Sequence, residues 1–250
     1  MTPFILSSVA RSDVLRFVKS LEVGVRGAFV VSRALCDRIE ASVSVYRAEH
    51  SGKLGAGNAA PVLRSLALRL TQDEPSVGEI RDLIRALPSA AVEQIEARAL
   101  RLADRVLACA TVGSDLLGWA KAAAPSDLIS LLRLCLVEGG AVLSGQMRPT
   151  GRQSAPHFEP IVFGRGRAVP GLPKLQGGHP ADNAEVRLIA HLAVDWLEST
   201  DVEPEAGRDG NSAFSGLVYS VFGWLDIEDK AQHSLRQYWK LTKVKRLSRW

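Results

Sequence analysis

Long apolar runs, a basic leader and paired cysteines are all missing from this sequence of 250 residues. Charged residues interrupt every hydrophobic stretch, so no segment reaches the roughly 20 apolar residues that a membrane-spanning helix needs. The first ten residues have no basic group ahead of their apolar residues, unlike a secretory signal. Cys36, Cys109 and Cys135 lie among apolar neighbours and are an odd number, which is typical of buried thiols in a reducing compartment. We therefore expect a soluble, cytoplasmic protein that does not bind membranes.

Motifs of the common catalytic and nucleotide-binding sites are also missing. The sequence contains no Gly-x-x-x-x-Gly-Lys, no Gly-x-Gly-x-x-Gly after a strand and no Gly-x-Ser-x-Gly turn. Serine, histidine and acidic residues are present, but no spacing among them indicates a catalytic triad. We therefore expect no cofactor, and nothing in the sequence supports an enzymatic activity.

One predicted helix carries side chains that suit a metal ion. His191 and Asp195 are four residues apart and Glu198 follows three later, so an imidazole and two carboxylates point in similar directions. No second pair of ligands is obvious, and His157 and His179 lie in an irregular segment that would have to fold back. The pattern favours an ordinary polar helix face, and we predict no metal.

Apolar residues at spacings of three and four recur along most of the chain and predict an all-α fold. A segment dense in glycine and proline, with one short candidate strand, interrupts this pattern. We predict an N-terminal helical bundle at residues 1–138, a Gly/Pro-rich linker or surface loop at 139–181, and a C-terminal three-helix unit with a basic tail at 182–250.

Residues that favour helix starts locate the predicted helices more closely. Several residues are expected to cap helix N-termini, alone or with a partner in a capping box. They are Ser12 or Asp13, Asn58, Ser76 with Glu79, Ser89, Ser114, Ser126, Asp182 with Glu185, and Asn211 or Ser212. The helix after Ser89 is expected to run to Cys109, because apolar residues follow its period that far. Leu128 to Val137 is apolar nearly all round and is predicted to lie at the centre of the core.

Charge is distributed unevenly along the chain, although the net charge is only +4. Residues 181–229, here called the acidic segment, carry 11 acidic and two basic residues. Residues 230–250, the basic tail, carry seven Lys or Arg and no Asp or Glu. Such a tail suits a solvated helix end, because cations stabilise helix C-termini, and it also suits a surface for phosphates. Attraction between the two segments would weaken the second interpretation.

The residues that we predict to contact nucleic acid lie mostly in the basic tail. They are Arg165, Arg167, Arg236, Lys240, Lys243, Lys245, Arg246 and Arg249, with Trp239 or Trp250 as a ring on which bases stack. Arg165 and Arg167 belong to a Gly-Arg-Gly-Arg sequence that follows the candidate strand but precedes no helix. That sequence is typical of a flexible basic loop, or of a turn that contacts phosphate.

The order of features in residues 177–239 resembles the C-terminal part of many uncharacterised proteobacterial and prophage-encoded proteins. The features are Gly177-Gly178-His179-Pro180, a helix with Leu188, Leu192 and Trp196, an acidic Pro/Gly loop, Phe214 with Gly216, Leu235-Arg236 and Tyr238-Trp239. The resemblance covers about a quarter of the chain. It implies a bacterial, mobile-element origin and assigns no activity or site residue.

Three functional hypotheses remain open from the sequence. The first is a non-catalytic bacterial interaction protein that binds a protein partner, or itself as a homo-oligomer, through apolar helix faces. The second is a nucleic-acid-binding accessory protein that uses the basic tail. The third, with least support, is an uncharacterised enzyme with a site between the linker and the C-terminal unit.

Overall fold

The computed structural model describes residues 4–21, 24–54, 59–113, 115–138, 147–150, 157–160, 162–163, 167–168, 180–205 and 212–243. These residues fall into two compact units, which are divided between Val43 and Ser44 and again between Glu159 and Pro160. The first unit contains the described residues of 44–138 and 147–159. The second contains those of 4–43 and 160–243.

The described residues are mostly helical, which confirms the all-α prediction. Their α-helices are α1 (Ser8–Lys19), α2 (Val25–Leu54), α3 (Ala59–Leu70), α4 (Val77–Arg85), α5 (Ser89–Leu102), α6 (Leu116–Ala122), α7 (Pro125–Arg133), α8 (Pro180–Thr200), α9 (Ala213–Trp224) and α10 (Glu228–Lys243). Leu107–Thr111 is a 3-10 helix and Leu134–Glu138 is a π-helical turn. In the described residues, short strands form two pairs, β1 (Met147–Thr150) with β2 (His157–Pro160), and β3 (Val162–Phe163) antiparallel with β4 (Arg167–Ala168).

The first unit is built around one apolar core to which α3 to α7 all contribute. Leu66, Ile95 and Leu132 are completely buried there, and burying a side chain of this size stabilises the fold by about 1.5–3 kcal/mol. The apolar stretch after Pro125 contributes buried side chains on several sides, from Leu128 to Leu136. This confirms its predicted place in the core.

The helix after Pro88 is shorter than predicted. It ends at Leu102, because the chain turns at residues 103–105 and Val106 adopts an extended conformation. Val106 and Cys109 are nevertheless fully buried, the latter from the 3-10 helix. Buried residues at spacings of three and four therefore continue past the helix end. The N-cap is Pro88, and Ser89 is the first helical residue.

The second unit is organised around α8, which is buried on nearly all sides. Val186, Ile189, Leu192, Ala193 and Trp196, which recur at spacings of three and four, are all buried. α9 and α10 pack against α8 and against each other, and α1 packs against α9.

Two predicted helix starts in this unit are wrong. α1 begins at Ser8 with Ser7 as its cap, ahead of Ser12 and Asp13, because Leu6 and Ala10 extend the buried side of the helix towards the N-terminus. α8 begins at Pro180, so Asp182 is not its cap. Glu185 is buried and forms an ion pair with Lys230 instead of capping α8.

The N-terminal helix and the first part of α2 belong with the C-terminal helices, unlike the predicted division at residues 138 and 182. Within the second unit, Arg38 Nη1 of α2 lies 3.0 Å from Glu198 Oε2 of α8, and Ser42 Oγ donates a hydrogen bond to Asp195. Periodicity shows which side of a helix is buried but not which helix covers it, so the sequence pattern left this pairing open.

Candidate nucleic-acid interface

The last helix, α10, separates its apolar and basic side chains onto different faces. Ala231, Leu235 and Tyr238 recur at spacings of three and four and are buried. Arg236 and Lys240, also four residues apart, are exposed. Because residues four apart lie on the same side of a helix, the two cations form a basic face opposite the docked side. Lys243, three residues after Lys240, is the last residue of the helix.

Trp239 stands at the edge of this face and takes part in packing. Its ring meets Phe214 edge-to-face at a centroid distance of 6.2 Å and Tyr238 at 4.9 Å. Phe214 in turn contacts Trp196 of α8 at 6.0 Å. The half-buried tryptophan therefore belongs to an aromatic cluster that holds α10 against α8 and α9. Its stacking on a base stays a prediction.

The acidic segment neutralises the start of the basic tail. Lys230 Nζ lies 3.0 Å from Glu185 Oε1, whose carboxylate is buried and so requires a positive partner. Asp201, Glu203 and Glu205 are exposed. Within the described ranges, no ion pair joins them to Arg236 or Lys240. The two segments thus contact each other at Lys230, and the basic face that follows remains accessible to a ligand.

The remaining predicted nucleic-acid contacts are placed only in part. Arg167 is in β4 and Lys243 ends α10, but their side chains are outside the described part of the chain. Arg165, Lys245, Arg246 and Arg249 lie outside the described residues, as does Trp250. The structure thus brings Arg236 and Lys240 together and leaves the other contacts as predictions.

Asp195 and Glu198, which were considered as metal ligands, pair with side chains of α2, and the side chains of His157 and His179 lie outside the described part of the chain. His191 and Asp195 are buried, which differs from the ordinary polar face that the spacing favours. Asp195 accepts a hydrogen bond from Ser42, and Glu198 pairs with Arg38. A buried carboxylate needs such donors, since its desolvation is otherwise costly. The described residues contain no group of three or more His, Cys, Asp or Glu side chains arranged around a metal position.

The three cysteines are buried and unpaired in disulfides, as predicted. Burial raises the pKa of the Cys36 thiol to about 11, against a weaker opposing effect of the Arg11 charge. The neighbouring Cys135 thiol, together with burial, raises the pKa of Cys109. Because the thiolate is the nucleophilic form, neither residue has the character of a catalytic cysteine.

Comparisons with known proteins identify no relative of this chain. No protein-family model matches the sequence, and neither the curated proteins nor the solved structures contain a match. None of the helices that the structure describes has the length and apolarity needed to cross a bilayer.

Proposed function

We propose that this chain is a non-catalytic interaction protein and that the basic face of α10 binds nucleic acid. The observation that carries the proposal is the exposure of Arg236 and Lys240 on a helix whose opposite side is docked by Leu235 and Tyr238. A docked helix holds its exposed cations at fixed spacing, as contact with successive phosphates requires. The acid-free sequence up to Trp250 extends the same charge along the chain.

The expected affinity is electrostatic and does not depend on base sequence. Each Lys or Arg that neutralises a phosphate releases condensed counterions, so log K falls by about 0.9 per contact for each tenfold rise in salt. Nonspecific binding of this kind has dissociation constants of about 10⁻⁴–10⁻⁶ M at physiological salt. Lys230 is engaged with Glu185, so we do not expect it to contribute.

Fluorescence anisotropy with a labelled DNA duplex tests the proposal. Arg236→Gln and Lys240→Gln should each weaken binding at every duplex sequence and reduce the salt slope by about 1. Arg64→Gln is the matched control, because Arg64 is also exposed, lies in the first unit and carries the same charge. Absence of binding at low salt, or equal losses in all three variants, would refute the proposal.

A second candidate function is self-association through the first two helices. Ile5, Val9, Phe29 and Val30 are each more than half exposed, although large apolar side chains are usually buried. The last three lie on α1 and α2, which contact each other through Arg11 and Glu40. Sedimentation velocity of Val9→Ser and Val30→Ser variants tests this candidate. A wild-type chain that stays monomeric at high concentration would exclude it.

A further inference from the structure

A cavity with cationic side chains opens between α4 and α6 of the first unit. Its volume is about 170 Å³, and it is lined by Arg81, Ile84, Arg85, Leu117, Ala120 and Lys121. Ile84 and Ala120 are buried, whereas Arg85 and Lys121 are exposed. The buried part of the wall is formed by Ile84 and Ala120 together with the partly buried Arg81, and the exposed edge carries the positive charges of Arg85 and Lys121.

The lining residues face the cavity because they are spaced at about one helical turn along α4 and along α6. Arg81 and Arg85 are four residues apart on α4, and Leu117 and Lys121 are four apart on α6, so each pair shares a helix face. Ile84 of α4 and Leu117 and Ala120 of α6 supply the apolar part of the lining. Among the described residues that line the cavity, none is acidic.

Arg81 is held in place across the two helices. Its Nη2 donates a hydrogen bond of 3.0 Å to the backbone carbonyl of Ala123, at the C-terminal end of α6. Its Nε is buried and has no hydrogen-bond partner among the described residues. A buried donor without a partner is uncommon in folded proteins, because its desolvation is not repaid.

Arg85 is also available to a ligand. It pairs with Asp82 of its own helix at 3.1 Å, but both side chains are more than half exposed. Exposed pairs of this kind contribute little to stability, so exchanging Asp82 for the anionic group of a ligand costs little. Lys121 provides a further positive charge at the same edge.

We propose that this cavity binds a small amphipathic carboxylate, with a compact apolar body inside and the carboxylate at the cationic edge. The cavity is similar in size to an apolar cavity of roughly 150 Å³ that accommodates benzene, so one aromatic ring fits. Guanidinium groups favour carboxylates because their planar donors match the two oxygens. The site is separate from the basic face of α10, and either proposal can fail without the other.

Benzoate tests the proposal, with benzyl alcohol and acetate as matched probes that lack the charge or the ring. A ligand of this size is expected to bind with a dissociation constant of about 1 mM, measured by saturation-transfer NMR and calorimetry. Arg85→Gln and Lys121→Gln should each weaken benzoate binding about fivefold. Both residues are exposed, so their replacement should leave the helical circular dichroism unchanged.

Arg64→Gln is again the control, because it removes an exposed charge of the same unit that does not line the cavity. Benzyl alcohol and acetate should both bind more than tenfold more weakly than benzoate. The proposal is overturned if benzoate shows no saturable binding to the wild-type chain. It is equally overturned if Arg85→Gln, Lys121→Gln and Arg64→Gln all bind benzoate as the wild type does.

Discussion

Two glycines of α9 should respond in opposite directions to replacement by alanine. A methyl group added at Gly216 would lie 2.8 Å from Cε1 and 3.4 Å from Cζ of Phe17, on α1. Carbon atoms in contact prefer about 3.5–4.0 Å, so the ring or the helix must move. At Gly223, near the end of the same helix, no atom outside the local backbone lies within 4 Å.

The effect of each replacement on the free energy of unfolding can be estimated from two contributions: the higher helix propensity of alanine and, at Gly216, the close contact with Phe17. Alanine is favoured over glycine in a helix by about 1 kcal/mol, and overpacking costs about 1–3 kcal/mol. The Phe17 ring borders a cleft of about 410 Å³ and can relieve part of the clash, so the middle of that range applies. Gly216→Ala should therefore destabilise the chain by about 1 kcal/mol, whereas Gly223→Ala should stabilise it by up to about 1 kcal/mol.

Denaturant unfolding followed by tryptophan fluorescence measures both changes, since Trp196, Trp224 and Trp239 all lie in the second unit. Phe17→Ala provides a double-mutant cycle, because removing the ring should convert Gly216→Ala into a stabilising change. If Gly216→Ala raises the unfolding free energy as much as Gly223→Ala does, the close packing of α1 on α9 is not as described.

Three further predictions concern single side chains of the second unit. Ser212 accepts a 3.0 Å hydrogen bond from the amide of Ser215 and so caps α9. Ser212→Ala should therefore lower the free energy of unfolding by about 1 kcal/mol, and Ser212→Asp, which can still cap the helix, should lower it much less. The same denaturation assay measures both changes. Glu198→Gln should lower the free energy of unfolding by about 1–2 kcal/mol, because its ion pair with Arg38 is mostly shielded from water. A decrease of less than about 0.3 kcal/mol would contradict this. Cys36 should react with a thiol reagent at pH 8 only after unfolding, which a spectrophotometric thiol assay measures. Since its pKa rises from 9.0 to about 11 on folding, its contribution to stability is fully present below pH 9.0 and is lost as the pH rises to about 11. A Cys36→Ala variant should show a weaker loss over that range.

Most helices could be predicted from local pattern because apolar residues at helical spacing mark the buried side of a helix. The capping residues Ser76 and Ser212 are confirmed as helix caps, since their side chains accept hydrogen bonds from the backbone at the start of α4 and α9. Helix ends were harder to predict, because a 3-10 turn can keep residues such as Cys109 in the core after α5 has ended.

The candidate sites show the same contrast. The separation of Leu235 and Tyr238 from Arg236 and Lys240 is a local property of one helix, so the basic face could be predicted. The cavity between α4 and α6 could not, because its cations come from positions 40 residues apart in the sequence. Arg81 and Arg85 by themselves resemble any exposed pair on a helix.

Sequence alone determined that the chain is helical, which side of most helices is apolar, and where positive charge accumulates. These properties depend on residues within a few positions of one another. Tertiary structure decided that α1 and the first part of α2 pack with α8 to α10, and that Asp195 is a buried hydrogen-bond acceptor instead of an exposed polar residue. The physical reason is that a helix with an apolar side can be covered by many partners. Complementary shape and charge between segments far apart in the chain, such as Arg38 with Glu198, select one of them.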